Sequence, residues 1–171
     1  MKHSRSGVIV VLAIVAVVEA KGNTTEIVVS GSHVMRPIEL RDRDVLAPFN
    51  VWSGPGTRQN GVEGMDGFII DWRSGAVEPP LTRLQQFEIA FYSDAPRSLD
   101  DAIYVVSYGI DPSNGDGFVY LPGRGDPRWS RNVQSIHRGP RYEGHWFHAS
   151  AAWQDVMQTH VLGPSAASRK P

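Results

Sequence analysis

The chain contains no cysteine. That absence excludes a disulfide framework, a thiolate nucleophile, a thiolate metal site and a lipidated cysteine. Net charge is almost absent as well: 17 Lys and Arg against 18 Asp and Glu leave −1 at pH 7. A general nucleic-acid binder needs a strongly basic surface, so no nucleic-acid partner is expected. Long apolar runs are scarce. The longest, Val8 to Val18, has eleven residues and falls well short of the ~20 that a membrane-crossing helix requires. No internal repeat, no heptad and no Gly-x-Ser-x-Gly elbow occurs, so nucleophilic catalysis has no positive support.

The position of that apolar run gives it a meaning. Lys2 and Arg5 precede it, and Val18-Glu19-Ala20 follows with modest side chains where a signal peptidase must accommodate them. Cationic start, short apolar middle and small-x-small end are the three parts of a cleavable secretory signal. Residues 1–20 are therefore expected to be a signal peptide, with 21–162 a single domain and 163–171 a disordered tail. A cysteine-free exported domain points to a bacterial periplasm or exterior, because small secreted eukaryotic domains lean on disulfides.

Within the expected domain, short apolar-alternating runs are separated by Gly, Pro, Asn and Asp, which predicts a mainly β fold: one antiparallel sheet, or a small sandwich or barrel-like domain. Strands are expected over 26–30, 37–40, 68–72, 87–92, 104–110 and 118–121. Phe68, Ile70 and Trp72 are expected on one face, as are Phe87, Ile89 and Phe91, and Tyr104, Val106, Tyr108 and Ile110. Asp111 to Gly117 reads as the turn of a hairpin. Ser150 to Met157 predicts a short C-terminal helix with Ser150 as N-cap and Ala149, Trp153, Val156 and Met157 on its buried face.

Several stretches invite chemistry. Asp111 to Gly117 is acidic and glycine-containing, yet its spacing departs from a calcium loop, with Gly115 fifth and Pro122 twelfth. His145 and His148 with His137 offer nitrogen for zinc, but the three-residue spacing is wrong for a helical metalloprotease pair and would put the two on opposite faces of a strand. No metal and no cofactor are expected. Asp71 and Glu88, each opposite the apolar face of an expected strand, could form the carboxylate pair of a glycan hydrolase. Arg124-Gly125-Asp126 spells an integrin-binding tripeptide, which the surrounding Gly and Pro explain as a turn.

The stretch from Leu121 to Trp153 combines an arginine and histidine excess with aromatic residues. Aromatic faces stack on sugars, and arginine forks hold carboxylate and phosphate. The candidate ligand-binding residues are Arg124, Arg128, Trp129, Arg138, Arg141, Tyr142 and Trp146, and the candidate partners are anionic polysaccharide, peptidoglycan or lipid head groups. The opposing expectation is that the tryptophans fill the core with arginines snorkelling around them. Tyr120-Leu121-Pro122-Gly123-Arg124-Gly125-Asp126-Pro127, with His145-Trp146-Phe147-His148-Ala149-Ser150 and Trp153, resembles a group of short exported bacterial proteins of no assigned activity. The resemblance covers the last third of the chain and the signal; it implies export and a bacterial source, and carries no catalytic residue across. The function expected is a non-enzymatic envelope-binding or structural module, with a small secreted hydrolase of envelope glycans as the alternative.

Overall fold

The computed structural model describes residues 22–59, 62–64, 66–79, 83–94, 101–132, 136–137 and 141–163. The expected signal segment, all of the expected tail after Gly163, and Arg138 of the expected binding set lie outside these residues.

The protein is mainly β. Among the described residues, seven antiparallel strands form one sheet in the order β2-β1-β6-β7-β8-β9-β5. They are β1 (Thr24–Ser30), β2 (Ile38–Leu40), β5 (Ala76–Val77), β6 (Gln85–Ser93), β7 (Tyr104–Ile110), β8 (Gly117–Tyr120) and β9 (Trp146–His148). A separate two-stranded ribbon pairs β3 (Arg58–Gln59) with β4 (Val62–Glu63). The first strands pair as hairpin neighbours, and β6, β7 and β8 follow as a meander. The expected hairpin turn is present: Asp111 Oδ1 accepts from Ser113 N at 2.8 Å and from Ser113 Oγ at 2.6 Å, so the side chain builds the reversal itself.

Alternation along the strands sorts side chains to two faces. On the inner face the register aligns Phe87, Tyr108, Val119 and Phe147 across four strands, and Val29, Ile89 and Val106 across three. The segment after β2 covers part of this face through α1 (Arg43–Leu46) and a 3-10 turn at Ala47–Phe49, which deliver buried Leu46, Phe49 and Val51. Thr24 pins that segment to β1, its Oγ1 donating to Phe49 O at 3.2 Å and accepting from Val51 N at 3.0 Å. The C-terminal helix α2 (Ala151–Val156) covers the rest. Ser150 caps it as expected, its Oγ accepting from Trp153 N at 3.3 Å, and Trp153 packs edge-on against Phe49 at 5.2 Å and Tyr108 at 6.2 Å.

Two expectations fail. Residues 68–72 are not a strand: Phe68 has φ 65, Ile70 makes one isolated bridge to Ala149, and Asp71 caps a 3-10 turn at Trp72–Ser74. Phe68, Ile69 and Ile70 are all buried, because the turn wraps its apolar residues into the core instead of alternating them. β7, expected to bury one face, is buried at all seven positions. Its outer face is covered too, by Leu84 against Gly109 and by a segment after β8 that crosses it.

Trp153 joins helix, 3-10 segment and sheet. Trp153→Ala is expected to lower stability by about 3–5 kcal/mol, the cost of deleting a fully enclosed ring, read as a drop in urea midpoint without a change in slope.

Candidate functional site: an aromatic ladder on the outer face

The outer face is built by the same alternation that builds the core. In β8, Val119 points inward, so Phe118 and Tyr120 point outward; in β9, Phe147 points inward, so Trp146 and His148 point outward. The register places Phe118 opposite His148 and Tyr120 opposite Trp146. Ring centroids lie 5.0 Å apart in the first pair and 5.2 Å in the second, with interplanar angles of 37° and 39°. All four rings are half-buried, and Val77 of the edge strand β5 flanks Trp146.

The chain leaving β8 folds back over the neighbouring strands. Arg128 sets its guanidinium over the Tyr120 ring, 5.6 Å from the centroid, and donates to Ser107 Oγ of β7. Asp126 holds it in a two-point fork, with Nε to Oδ1 and Nη2 to Oδ2 both at 2.8 Å. Those hydrogen bonds hold the Asp126 carboxyl below the usual carboxylate range and raise Arg128. A 3-10 turn at Trp129–Arg131 follows, in which Arg131 reaches Glu88 Oε2 at 2.6 Å, and Asn132 Oδ1 accepts from Val105 N at 2.7 Å. The result is a row of flat rings bordered by a planar Arg–Asp pair.

The expected binding residues divide. Arg128 and Trp146 meet at Tyr120. Arg124 is exposed in the turn before Arg128, and Trp129 is half-buried in the crossing segment. Arg141 and Tyr142 belong elsewhere: Arg141 lies over Tyr142 at 5.3 Å, and Tyr142 packs edge-on against Trp72, which touches inner-face Phe147. The tryptophans divide likewise, with Trp153 and Trp52 in the core and Trp129 and Trp146 half-exposed. Phe118, Tyr120 and Asp126 were not among the expected ligand residues. The period-two pattern of Phe118-Val119-Tyr120 and Trp146-Phe147-His148 carried the signal, but only pairing of β8 with β9 brings the rings together.

Other candidates come apart. Glu88 lies on β6 and is bound to Arg131, whereas Asp71 lies beyond β9, its N–H donating to His148 O. The three strand spacings from β6 to β9 alone amount to about 14 Å, against the ~5–9.5 Å that glycoside hydrolysis requires of its carboxyl groups. Ser74 Oγ, donating at 2.6 Å, keeps the Asp71 carboxyl below its ordinary range, the wrong direction for a general acid. His145 is exposed, His148 stacks on Phe118 and His137 is fully enclosed; among the described residues no three metal-capable side chains cluster. The Asp126 carboxylate is 11% exposed and engaged by Arg128, so the Arg-Gly-Asp tripeptide is not presented.

A second polar constellation is sealed inside. Glu143 Oε1 accepts from Tyr104 Oη at 3.1 Å, Ile136 N at 3.0 Å and His137 N at 3.3 Å. The His137 ring sits among Phe68, Trp72 and Tyr104, with centroids 5.1, 5.1 and 5.6 Å away. Neither of its nitrogens makes a hydrogen bond of good geometry. Phe68, a non-glycine residue with positive φ, packs here, and Trp72 is fixed by its indole N–H donating to Gly67 O at 2.8 Å, lying so close to Gly54 that any Cβ there would clash. Burial lowers His137 from its ordinary 6.5 to about 3, a backbone contact with Pro55 offsetting this only in part.

No protein-family model, curated protein or solved structure matches the chain.

The enclosed imidazole makes stability depend on pH. Between 6.5 and about 3 the unfolded chain binds a proton at His137 that the folded chain refuses. Stability is thus full above 6.5 and falls on acidification, by roughly 1.4 kcal/mol per pH unit for this one group. Urea midpoints measured between about pH 7 and about pH 4.5, above the main carboxylate range, are expected to fall in the native chain and to stay level in His137→Phe.

Proposed function

We propose that this chain is a non-enzymatic binding module of a bacterial cell envelope that takes a glycan on the outer face of its sheet. The observation that carries the reading is the Phe118/His148 and Tyr120/Trp146 ladder, four rings paired across β8 and β9 and each left part-exposed among the described residues. Sugar rings present flat apolar faces that stack on such side chains, while their hydroxyls suit a planar, already oriented donor and acceptor pair such as Arg128 with Asp126. The envelope address rests on the N-terminal cationic and apolar run and on the absence of cysteine.

Glycan is favoured over lipid head group by charge. Arg128 and Arg131 each spend their positive charge on a carboxylate of the same chain, Asp126 and Glu88. A lipid head group would need a cluster of unspent cations at the ladder, whereas among the described residues its loop offers one exposed cation outside these pairs, Arg124. Arg124, exposed in the same loop, is the side chain we assign to an acidic substituent of the glycan. Hydrolysis is disfavoured because Asp71 and Glu88 stand apart with separate partners.

Binding of the purified chain to envelope polysaccharides and peptidoglycan fragments tests this reading. Trp146→Ala is expected to weaken the best ligand about tenfold, the loss of one stacking platform, and a rise in salt is expected to weaken it by less than about threefold, because the ladder acts through faces more than charge. Unchanged affinity in Trp146→Ala would sink the proposal. A collapse of binding with salt would transfer the role from the rings to the exposed arginines.

A further inference from the structure

A cleft of about 360 Å³ opens at the end of the sheet where β6 begins and β7 ends, between the β7–β8 hairpin turn and the C-terminal helix. That volume lies at the small end of the range for ligand pockets, roughly 300–1,000 Å³. Gln85, Tyr108, Asp111, Met157, Gln158 and Leu162 are among its walls. None of the ladder rings is among them.

The walls combine a wide helical turn, a glycine in close contact and an enclosed phenol ring. After α2 the chain winds as a π-helix over Met157–Leu162, in which residues five apart stack; Met157 and Leu162 consequently share the cleft wall, whereas α-helical winding would turn them apart. Such winding is rare and concentrates at functional sites. Gly117 supplies a second sign. A Cβ at this glycine would stand 2.5 Å from Tyr108 Oη and 3.1 Å from Gln154 Cγ, so the missing side chain is what lets the phenol reach its place.

Tyr108 is the third. The residue is 1% exposed and lines the cleft, and its hydroxyl makes no hydrogen bond to another described residue without being sealed from solvent. A hydroxyl at a cleft wall takes its hydrogen-bond partner from whatever fills the cleft, water or ligand. Burial raises the phenol well above its ordinary pKa, so it remains a neutral donor. Around it, Gln85 keeps its amide uncommitted among the described residues, and Gln158 uses its Nε2 on Gly163 O at 3.0 Å, leaving the oxygen. Gln154 is structural, its amide joining Ala149 O and Gly117 N, both at 3.2 Å. The wall holds no cation, and its one acid, Asp111, already bridges to Ser113.

We infer that this cleft is a second binding site, separate from the ladder, for one small uncharged hydroxyl-bearing molecule of the size of a single sugar ring. Tyr108 donates to it, the Gln85 and Gln158 amides meet its hydroxyls, and Met157 and Leu162 cover its apolar face. The inference does not rest on the ladder reading, since the two sites share no wall residue.

NMR titration of the full chain with glucose, and in parallel with glucuronate and putrescine as charged counterparts, tests it through the side-chain amide signals of Gln85 and Gln158. Glucose is expected to shift these signals to saturation, with affinity about fivefold weaker in Tyr108→Phe, which removes one hydrogen bond and leaves the ring. Gly117→Ala, which crowds the hydroxyl, is expected to lose binding, and Trp146→Ala to retain it. The inference is overturned if glucose shifts neither amide at any soluble concentration, if Tyr108→Phe binds as tightly as the native chain, if only a charged compound saturates, or if Trp146→Ala abolishes the response.

Discussion

The whole arrangement depends on the burial of β7 on both faces. Seven consecutive residues from Tyr104 to Ile110 are enclosed, including Ser107 and Gly109 on the outer side. An antiparallel strand of a single sheet ordinarily leaves one face in water. Here that face must be covered by chain that is not part of the sheet, and every covering segment has polar groups to satisfy. The crossing segment after β8 meets this requirement with side chains: Arg128 binds Ser107, Asn132 takes the Val105 N–H, and Arg131 reaches Glu88 on the next strand.

Among the described residues that covering leaves the outer face of β8 and β9 part-exposed, and the candidate site lies there. The rings of Phe118, Tyr120, Trp146 and His148 lie on the same outer face as Ser107, and Arg128 of the crossing segment caps Tyr120. The segment thus closes the centre of the sheet and, through the Asp126 fork, prepares the border of the ladder. One arginine serves packing and site geometry together, and its charge is consumed in doing so. Arg128 and Arg131 thus stand on this face with their charges already paired.

The inner face meets the complementary constraint. Its core is aromatic, and the enclosed Glu143 and His137 place polar groups where the sheet end meets the turn at Phe68. Glu143 resolves its burial with three donors, whereas His137 remains neutral among rings. At the other end of the face the Tyr108 hydroxyl reaches a cleft instead of a protein partner.

Local pattern was enough for the elements whose partners lie close in sequence. Period-two alternation marked β6 and β7, Asp111 to Gly117 marked their reversal into β8, and Ser150 with the spacing of Trp153, Val156 and Met157 marked the helix, because turn chemistry, capping and alternation act within a few residues. The same alternation misled at Phe68, Ile70 and Trp72, where a left-handed residue and a core-facing turn overrode it. Arg124, Arg128, Trp129, Arg141, Tyr142 and Trp146 were legible as a composition, but composition has no direction. Only the pairing of β8 with β9, and the return of the chain over β7, decided that Trp146 and Arg128 meet at Tyr120 while Tyr142 turns to Trp72, since contacts between strands depend on register, which no single strand contains.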